Sequence, residues 1–404
     1  MTVIRTEILV AHPGRHHALH LVAGCIKSGL SISYVTPLYH CGFGRFLSIF
    51  PGVIGQKASG YFHPDIPLEV VITPKSCQIK KLISLFNKDN YYENFFDEFV
   101  AKKIESGQYQ AQMLVTLQDY MPMTVRAAKL QGCKIWSDQI SNQSDETMLR
   151  IMRHETSLDN QSQFSHSEEA NHAILSMSDV ITYPSNYCFK AIDAYIPEKS
   201  RVMKIAYGAS AERFSTPKIT NPDVITVVVR ANTVRKGGHL FIEALKQCSE
   251  IIEEICQPCA VKFVILGSLE DQLAKKLAMC HFPDGISIVH GNIPHEMMAK
   301  LYQPASLFIM PALSEGMSLA CIEALHASLP LIITKHCGID GFVSGEMGYM
   351  VDDNPQSLAT ALIAAFKNQH RWQNWSVNSK ILADQLTWEA YELSIKKLAS
   401  EILS

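Results

Sequence analysis

The fold of this chain is indicated most clearly by the stretch Pro311-Ala-Leu-Ser-Glu315-Gly316-Met317-Ser318-Leu319-Ala-Cys-Ile-Glu323-Ala-Leu. Before it, the apolar run 305–310 has the length of a buried strand, and after it the apolar positions 319, 322 and 325 have helical spacing. The stretch therefore predicts a strand, a loop and a helix. The free backbone N–H groups at such a helix start favour binding of a phosphate group.

Two carboxylates bracket this predicted helix start. Glu315 lies in the loop, and Glu323 lies eight residues later, within the helix. Together they could hold the hydroxyl groups at the two ends of a nucleotide sugar. The alternative is that Glu315 caps the helix and that Glu323 lies on its solvated face.

The spacing of proline, acids and glycine in this stretch, followed by the apolar strand 331–334, resembles retaining nucleotide-sugar glycosyltransferases of family 4. Similar correspondences run from about residue 179 to residue 351 and return near residue 388. The resemblance implies the α/β architecture called GT-B. In that architecture two doubly wound, Rossmann-like domains face each other across a cleft, and a C-terminal helix crosses back to the first domain.

The resemblance also implies roles for individual residues. Arg230 and Lys236 would stabilise the leaving diphosphate without a metal ion, and Glu315 would act in catalysis by holding hydroxyls of the donor sugar. Arg235 is less favoured than Lys236, because Lys236 keeps the register of the family. Backbone groups near residue 293 would read the nucleobase. The implied donor-binding set is Arg230, Asn232, Lys236, Ile293, Glu315, Gly316, Met317, Ser318, Leu319 and Glu323.

The chain departs from the family pattern at two places. Asp138 follows the predicted strand 134–137, where the family often has a histidine that reaches the donor sugar. It could act in catalysis, by orienting the acceptor hydroxyl or by stabilising positive charge at the anomeric carbon, or it could cap the next helix. Met317 and Ser318 replace the usual aromatic-glycine pair, which implies either an altered preference for the donor sugar or a loss of activity.

The loop after the first predicted strand is a candidate acceptor or phosphate site, because open α/β sheets bind ligands at the carboxyl ends of their strands. It lacks the Gly-x-Gly-x-x-Gly pattern, which argues against a dinucleotide oxidoreductase. The residues of this loop that we expect to contact the ligand are Gly14, Arg15, His16 and His17.

Two groups of residues could instead bind a metal ion. Among His12, His16, His17 and His20, the spacing of His16 and His20 would allow both to bind one ion, but no acid lies near them in sequence. Hydrogen bonding to an acceptor or a phosphate is therefore the favoured interpretation. The pair Cys256 and Cys259 lacks a second pair at the spacing that zinc requires. We predict neither a metal ion nor another cofactor.

Composition excludes several classes of protein. The chain has 404 residues, of which 47% are hydrophobic and 19% are charged, and its formal net charge is −3. These values are typical of a well-packed globular protein and do not indicate nucleic-acid binding. No apolar run reaches about 18 residues, the start lacks the pattern of a signal peptide, and the eleven scattered cysteines suit reduced thiols. We expect a cytoplasmic protein.

The predicted organisation is an acceptor-side domain over residues 1–206, a nucleotide-sugar-binding domain over residues 207–385 and a returning helix over residues 386–404. The predicted function is transfer of a sugar from a nucleoside-diphosphate sugar to a hydroxyl of a glycan or lipid-linked acceptor in polysaccharide or glycoconjugate synthesis. The expected nucleotide of the donor is UDP or GDP. A nucleotide-sugar isomerase or hydrolase, and a non-catalytic sugar-binding relative, remain alternatives.

One further segment is a candidate contact with the inner face of the membrane. Lys80, Lys81 and Lys88 stand beside leucines, isoleucine and phenylalanine in a pattern typical of a basic amphipathic helix. The Gly- and Pro-rich region 39–90 that contains it is predicted to vary with the acceptor, or to be a surface excursion that its own aromatic residues pack. The oligomeric state is not predicted.

Overall fold

The computed structural model of the protein describes residues 3–14, 17–39, 62–87, 91–154, 167–215, 218–219, 221–294 and 297–403. In this part of the chain the strands form two separate parallel sheets, which are covered by helices. Strand β8 (Val224–Val229) shows why the second sheet is parallel: it reads Val-Ile-Thr-Val-Val-Val, and its last four residues are buried whichever face they point to. Such continuous apolar strands require helices on both faces of a sheet.

The first sheet has the strand order β3-β2-β1-β4-β5-β6-β7. Each neighbouring pair is parallel, and the strand predicted over residues 134–137 is present. Its strands are β1 (Ile4–Ala11), β2 (Ile32–Val35), β3 (Val71–Ile72), β4 (Tyr109–Leu117), β5 (Lys134–Asp138), β6 (Val180–Tyr183) and β7 (Arg201–Lys204).

The second sheet has the order β10-β9-β8-β11-β12-β13, again all parallel. Numbered from its own first strand, this order is 3-2-1-4-5-6, the order of a doubly wound Rossmann-like domain. After β8, its strands are β9 (Ala260–Leu266), β10 (Ile286–Gly291), β11 (Ala305–Met310), β12 (Leu331–Thr334) and β13 (Gly348–Val351).

Helices connect the strands of both sheets. Around the first sheet they are α1 (Ala18–Lys27), α2 (Lys75–Asn87), α3 (Tyr91–Glu105), α4 (Pro122–Leu130), α5 (Asp145–Met152), α6 (Ser167–Met177) and α7 (Asn186–Phe189), and α8 (Ala211–Phe214) follows β7. Around the second sheet they are α9 (Gly238–Cys256), α10 (Asp271–Ala278), α11 (Met298–Tyr302), α12 (Leu319–His326), α13 (Pro355–Lys367) and α14 (Trp372–Ala383). Short 3-10 helices lie at Leu68–Val70, Asp193–Tyr195, Lys335–Cys337 and Gln369–Arg371.

The last helix, α15 (Trp388–Leu403), returns from the second sheet to the first. It packs on α1 so closely that a Cβ added to Gly24 would lie 2.6 Å from the Cβ of Ile395. The chain between the sheets and the chain before α15 run side by side, since Ala209 forms a parallel bridge with Thr387. The α/β architecture with two doubly wound domains and a returning helix is therefore confirmed.

The hydrophobic core is shared between the domains. One cluster of buried side chains includes Val10 of the first sheet, Phe308 of the second sheet and Ile395 of α15. Other clusters lie on the outer faces of the two sheets, around Phe263 and around Phe96. The ten cysteines in the described part of the chain are all free thiols.

Candidate functional site

The loop between β8 and α9 brings cations to the carboxyl edge of the second sheet. It turns at Gly237, whose φ is +75°, a value that favours glycine. A Cβ there would lie 1.9 Å from the carbonyl oxygen of Pro311, so the loop lies directly against the end of β11. Helix α9 begins directly after this turn, at Gly238, and continues to Cys256.

Arg230 and Lys236 are the two predicted phosphate ligands in this loop, and both are partly buried. Arg230 donates a hydrogen bond from Nη1 to the carbonyl oxygen of Leu266, at 2.8 Å. Burial lowers the pKa of Arg230, and burial lowers the pKa of Lys236 to about 8. Among the residues that the structure describes, no acceptor or carboxylate lies within bonding distance of the Lys236 ammonium group. The site therefore places a desolvated cation where an anion would stabilise it.

Asn232 lies in the same loop and is also open to a ligand. Its side-chain nitrogen donates to the carbonyl oxygen of Ser268, at 3.1 Å, and its side-chain oxygen is buried without a hydrogen-bond partner in the described part of the protein. Ile293 follows β10 at the same edge of the sheet and is partly buried against the core. These positions are compatible with the donor-binding roles that were predicted for both residues.

Glu315 lies in the loop after β11, and the cation that contacts it is Arg235. Nη1 of Arg235 is 2.8 Å from Oε1 of Glu315 and also donates to the carbonyl oxygen of Ser314, at 2.8 Å. The amide of Glu315 donates to the carbonyl oxygen of His336, which fixes the loop to the end of β12. The family register favoured Lys236 over Arg235, but the structure gives Arg235 a separate contact that orients Glu315.

The start of α12 is capped by Ser318 and not by Glu315. The hydroxyl of Ser318 accepts a hydrogen bond from the amide of Cys321, and Leu319 is the first helical residue. The alternative in which Glu315 caps the helix is therefore wrong, and the carboxylate is left for the cleft. Glu323 lies within α12 and acts electrostatically on Arg230, raising the pKa of that guanidinium against the effect of burial.

Two of the predicted donor-binding side chains point away from the loop edge. Met317 is buried, and its sulfur accepts a hydrogen bond from the amide of Tyr207 in the passage between the sheets. The Ser318 hydroxyl donates to the sulfur of Met310 in addition to capping the helix. A contact between these two residues and a sugar would therefore have to come from backbone groups.

The two domains meet at Gly316. A Cβ at this position would lie 1.7 Å from the carbonyl oxygen of Ile140, so only glycine fits between the loops. The hydroxyl of Ser185 donates to the carbonyl oxygen of Gly316 from the first-domain side. Gln118 holds the opposing loop, because its Oε1 accepts from the amides of Ile140 and Ser141 at 3.1 and 2.9 Å. Close contact between the two domains therefore explains why residue 316 is a glycine.

Helix α5 of the first domain docks on the donor loops of the second. Ile151 is buried in a small cluster with Val234 and Leu313, one from each donor loop. Arg150 donates to the carbonyl oxygen of Leu313 at 3.1 Å and lies 3.2 Å from Nδ1 of His336. Sequence reasoning missed this helix, because no pattern within residues 145–152 indicates a partner more than 150 positions away.

In the first domain, Asp138 is paired with His17. The Asp138 carboxylate is in short contact with Nε2 of His17 and accepts from the hydroxyl of Thr182, and both members of the pair are buried. Asp138 caps no helix, since the next one begins seven residues later behind Ser144. His17 also packs on Tyr207, with ring centroids 4.3 Å apart. Gly14 lies at the carboxyl end of β1, whereas Arg15 and His16 lie outside the described residues.

Asp119 is a polar residue just after the carboxyl end of β4, and sequence reasoning missed it. Burial raises the pKa of Asp119 to about 6, and its Oδ1 is 3.5 Å from the side-chain nitrogen of Gln143. Tyr120 follows it and packs edge-on against His12, with ring centroids 5.0 Å apart. Their position in the sequence could have identified both residues as candidates for the site. Each follows a buried strand, as ligand-contacting residues of open sheets do.

Known structures share the whole fold. A sucrose-phosphate synthase from Thermosynechococcus elongatus superposes with a TM-score of 0.66, covering 98% of this chain and 99% of that one at 16% identity. The Anabaena protein HepE, solved in complex with UDP-glucose, superposes with a TM-score of 0.64 over 98% of this chain and 100% of its own, at 12% identity. Identities this low establish the fold alone: two domains of the GT-B type.

The second domain matches a known sequence family. Residues 209–381 match the family described as glycosyl transferases group 1, in agreement with the resemblance. WcaL of Salmonella typhimurium, a protein assigned to colanic acid biosynthesis as a glycosyltransferase, is 28% identical over 181 residues. That alignment spans 42% of each chain, so the similarity covers less than half of this curated relative.

Proposed function

We propose that this chain is a retaining, metal-independent glycosyltransferase that moves a sugar from a nucleoside-diphosphate sugar to a hydroxyl of a glycan or lipid-linked acceptor. In this proposal residues 1–206 bind the acceptor, residues 207–385 bind the donor and residues 386–404 brace the first domain. The WcaL relative supports a place in polysaccharide or glycoconjugate synthesis. The UDP-glucose complex of HepE favours UDP over GDP as the nucleotide of the donor.

The observation that carries the proposal is the ammonium group of Lys236. It is partly buried beside Arg230, it has no bonded partner in the described part of the chain, and burial lowers its pKa to about 8. A diphosphate in this position would supply the missing negative charge. Because the leaving nucleoside diphosphate gains charge as the glycosidic bond breaks, two cations fixed in advance would lower the barrier without a metal ion.

The remaining residues fit around that diphosphate. Glu315, oriented by Arg235, would hold hydroxyls of the donor sugar, and Glu323 would hold the ribose. Retention would follow from attack on the face that the diphosphate leaves, with the departing phosphate accepting the proton of the acceptor hydroxyl. Asp138 would act through its contact with His17 rather than by touching the reacting carbon, since its carboxylate is buried.

The test begins with binding. The purified protein is titrated with UDP, GDP, CDP and ADP in the presence of a metal chelator, and the same series is run on Lys236→Ala and on the control Lys246→Ala. Lys246 lies in α9, is exposed and is paired with Glu243. The proposal expects one nucleoside diphosphate to bind the wild type and Lys246→Ala, and to bind Lys236→Ala at least 30-fold more weakly, equivalent to about 2 kcal/mol.

Product analysis then separates the alternatives. Transfer to an added acceptor with the anomeric configuration of the donor, measured by proton NMR, supports the transferase. Consumption of the nucleotide sugar at the same rate with and without acceptor supports an isomerase or hydrolase. Donor binding without any turnover across acceptor extracts supports a non-catalytic binding protein.

We further propose a cytoplasmic location, with contact between α2 and an anionic membrane surface. None of the described helices combines the length and apolar composition that a membrane span requires. On α2, Ile79 and Ile83 are 59% and 50% exposed, and the ammonium groups of Lys80 and Lys81 lie over the rings of Phe95 and Tyr92. Ile79→Ser with Ile83→Ser should reduce cosedimentation with phosphatidylserine vesicles; equal cosedimentation of variant and wild type would contradict the contact.

A further inference from the structure

Three side chains that can ligate a metal converge between α1, the segment before the first 3-10 helix, and α15. Nδ1 of His20 lies 2.7 Å from Oε1 of Glu392, and Nε2 of His63 lies 3.2 Å from Nδ1 of His20 and 3.4 Å from Oε1 of Glu392. Their side chains are only 24%, 10% and 5% exposed for His20, His63 and Glu392. We propose that these three residues form a binding site for a single Zn²⁺ ion.

The spacing of the three atoms suits one ion. Distances of 2.7, 3.2 and 3.4 Å define a triangle whose circumscribed circle has a radius of about 1.8 Å. Zinc binds histidine nitrogen and carboxylate oxygen at about 2.0–2.2 Å. An ion at that distance from every atom therefore fits roughly 1 Å above the plane of the triangle. Two histidines and one glutamate are also a ligand set that zinc accepts.

Neighbouring groups orient the ligands. Lys27 binds the other carboxylate oxygen of Glu392, Oε2, and its ammonium group also contacts Asp65 at 2.8 Å. This leaves Oε1 directed at the histidines. The ring of His20 is stacked on Trp388, with centroids 3.9 Å apart and planes 4° from parallel, which fixes the ring against rotation. Such surrounding contacts are what hold metal ligands in position.

Hydrogen bonding alone is the competing arrangement. Burial opposes ionisation of Glu392, but hydrogen bonds from His20, His63 and Lys27 hold the pKa of Glu392 well below its usual range. Nδ1 of His63 accepts from the amide of Asp65 at 3.2 Å, which places the ring proton on Nε2. Zinc would move that proton to Nδ1 and would cost this hydrogen bond. Zinc binding and this hydrogen-bonded arrangement therefore exclude each other. The measurement of zinc binding distinguishes between them.

The ion would act as a structural link. His20 and His63 belong to the first domain, whereas Glu392 belongs to the helix that returns after the second, 372 positions from His20. Within the described residues, no donor-loop residue contacts the cluster, so the proposed ion would take no part in stabilising the leaving diphosphate. Binding to the folded chain only would raise its thermal stability by mass action.

The test compares full-length proteins stripped of metal. Zinc binding is measured by competition with a chromophoric chelator for the wild type, His63→Ala, Glu392→Gln and the control His281→Ala, whose histidine is exposed and outside the cluster. Because the chain contains eleven cysteines and sixteen histidines, the quantity that matters is the difference between proteins. We expect one more zinc per chain in the wild type and in His281→Ala than in the two cluster variants, with roughly 100-fold weaker binding at this site in Glu392→Gln.

Two further readouts keep the test decisive if His63→Ala folds poorly. Glu392→Gln preserves shape, and circular dichroism confirms that it is folded. Co²⁺ added to the wild type should give visible ligand-field bands that Glu392→Gln lacks, and Zn²⁺ should raise the melting temperature of the wild type but not of Glu392→Gln. Equal zinc content in wild type and both cluster variants, or no zinc-dependent change in melting temperature of the wild type, would overturn the site.

Discussion

The two sides of the cleft hold their polar residues in different ways. On the donor side, Arg230, Lys236 and Glu315 lie in short loops that directly follow β8 and β11, and the contacts of Arg230 and Glu315 come from adjacent segments of the same domain. On the acceptor side, His17 contacts Asp138 from 121 positions away, and His20 contacts Glu392 from 372 positions away. Donor-side geometry is thus encoded locally, and acceptor-side geometry depends on the assembled fold.

This difference means that the sides should respond differently to substitution. A donor-side change should alter nucleotide binding or sugar turnover while the fold stays intact. A change at the contact between the sides should leave nucleotide binding in place and affect transfer. The following predictions test whether that separation holds.

The largest expected effect is at Glu315. Glu315→Gln should lower turnover by about 10²–10³-fold, because a preorganised charge beside the reacting sugar is lost while the side chain keeps its shape. Initial rates of donor consumption measure this. Glu254→Gln, an exposed position on α9, is the matched control and should leave the rate unchanged. Unaltered turnover in Glu315→Gln would remove this residue from the mechanism.

Gly316→Ala tests the contact between the domains. The added methyl would lie 1.7 Å from the carbonyl oxygen of Ile140, so the loops must separate. A displacement of about 1 Å at a reacting centre can cost roughly 100-fold in rate, so turnover should fall steeply. The dissociation constant for the nucleotide, measured by calorimetry, should change less than about threefold, since its ligands all lie in the second domain. A parallel loss of nucleotide affinity would break the separation between the sides.

Lys236 should make nucleotide binding dependent on pH. Burial lowers the pKa of Lys236 to about 8, so the free protein loses this cation as the pH rises through 8. The diphosphate is already fully ionised there, so affinity should follow the protonated fraction of Lys236: it should fall by less than about twofold from pH 7 to pH 8 and by about fivefold from pH 8 to pH 9. In Lys236→Ala the affinity should be weaker throughout and should lack this decline. Calorimetric titrations at pH 7, 8 and 9 measure how nucleotide affinity depends on pH in the wild type and in Lys236→Ala. The same pH dependence in both proteins would contradict the role of Lys236.

The smallest expected effect is at Arg150. Arg150→Met removes the hydrogen bonds to Leu313 and His336 and the ion pair with Asp353 but keeps an unbranched apolar stem, so the free energy of unfolding should fall by about 1–2 kcal/mol. Because the contact lies between the domains, the turnover number should fall a few-fold with little change in the Michaelis constant for the donor, and Arg150→Lys should restore part of the difference. Arg153→Met, an exposed neighbour, is the control. A turnover number that falls as much as in Glu315→Gln would assign α5 to the chemistry.

The donor side could be predicted from the sequence because its information is local. Strand β11 and helix α12 follow from apolar spacing, and the position of Lys236 follows from the register of the family that the sequence resembles. The pairing of Arg235 with Glu315 could not be predicted. The register of the family identifies positions along the chain, but it does not give the orientation of the flexible Arg235 side chain. The docking of α5, the burial of Asp138 against His17 and the convergence of His20, His63 and Glu392 all depend on tertiary packing. No periodicity within a single segment records such contacts.

The returning helix α15 has a consequence for how the protein is made. Gly24 is in α1, near the start of the chain, but the surface it packs against belongs to Ile395. During synthesis the first domain therefore emerges long before the helix that covers α1, and its apolar side stays uncovered while the whole second domain is translated. Domains generally fold as units as they leave the ribosome. Here the earliest part of the chain is completed last, so a ribosome stalled within the second domain would display an unfinished first domain as a target for chaperones.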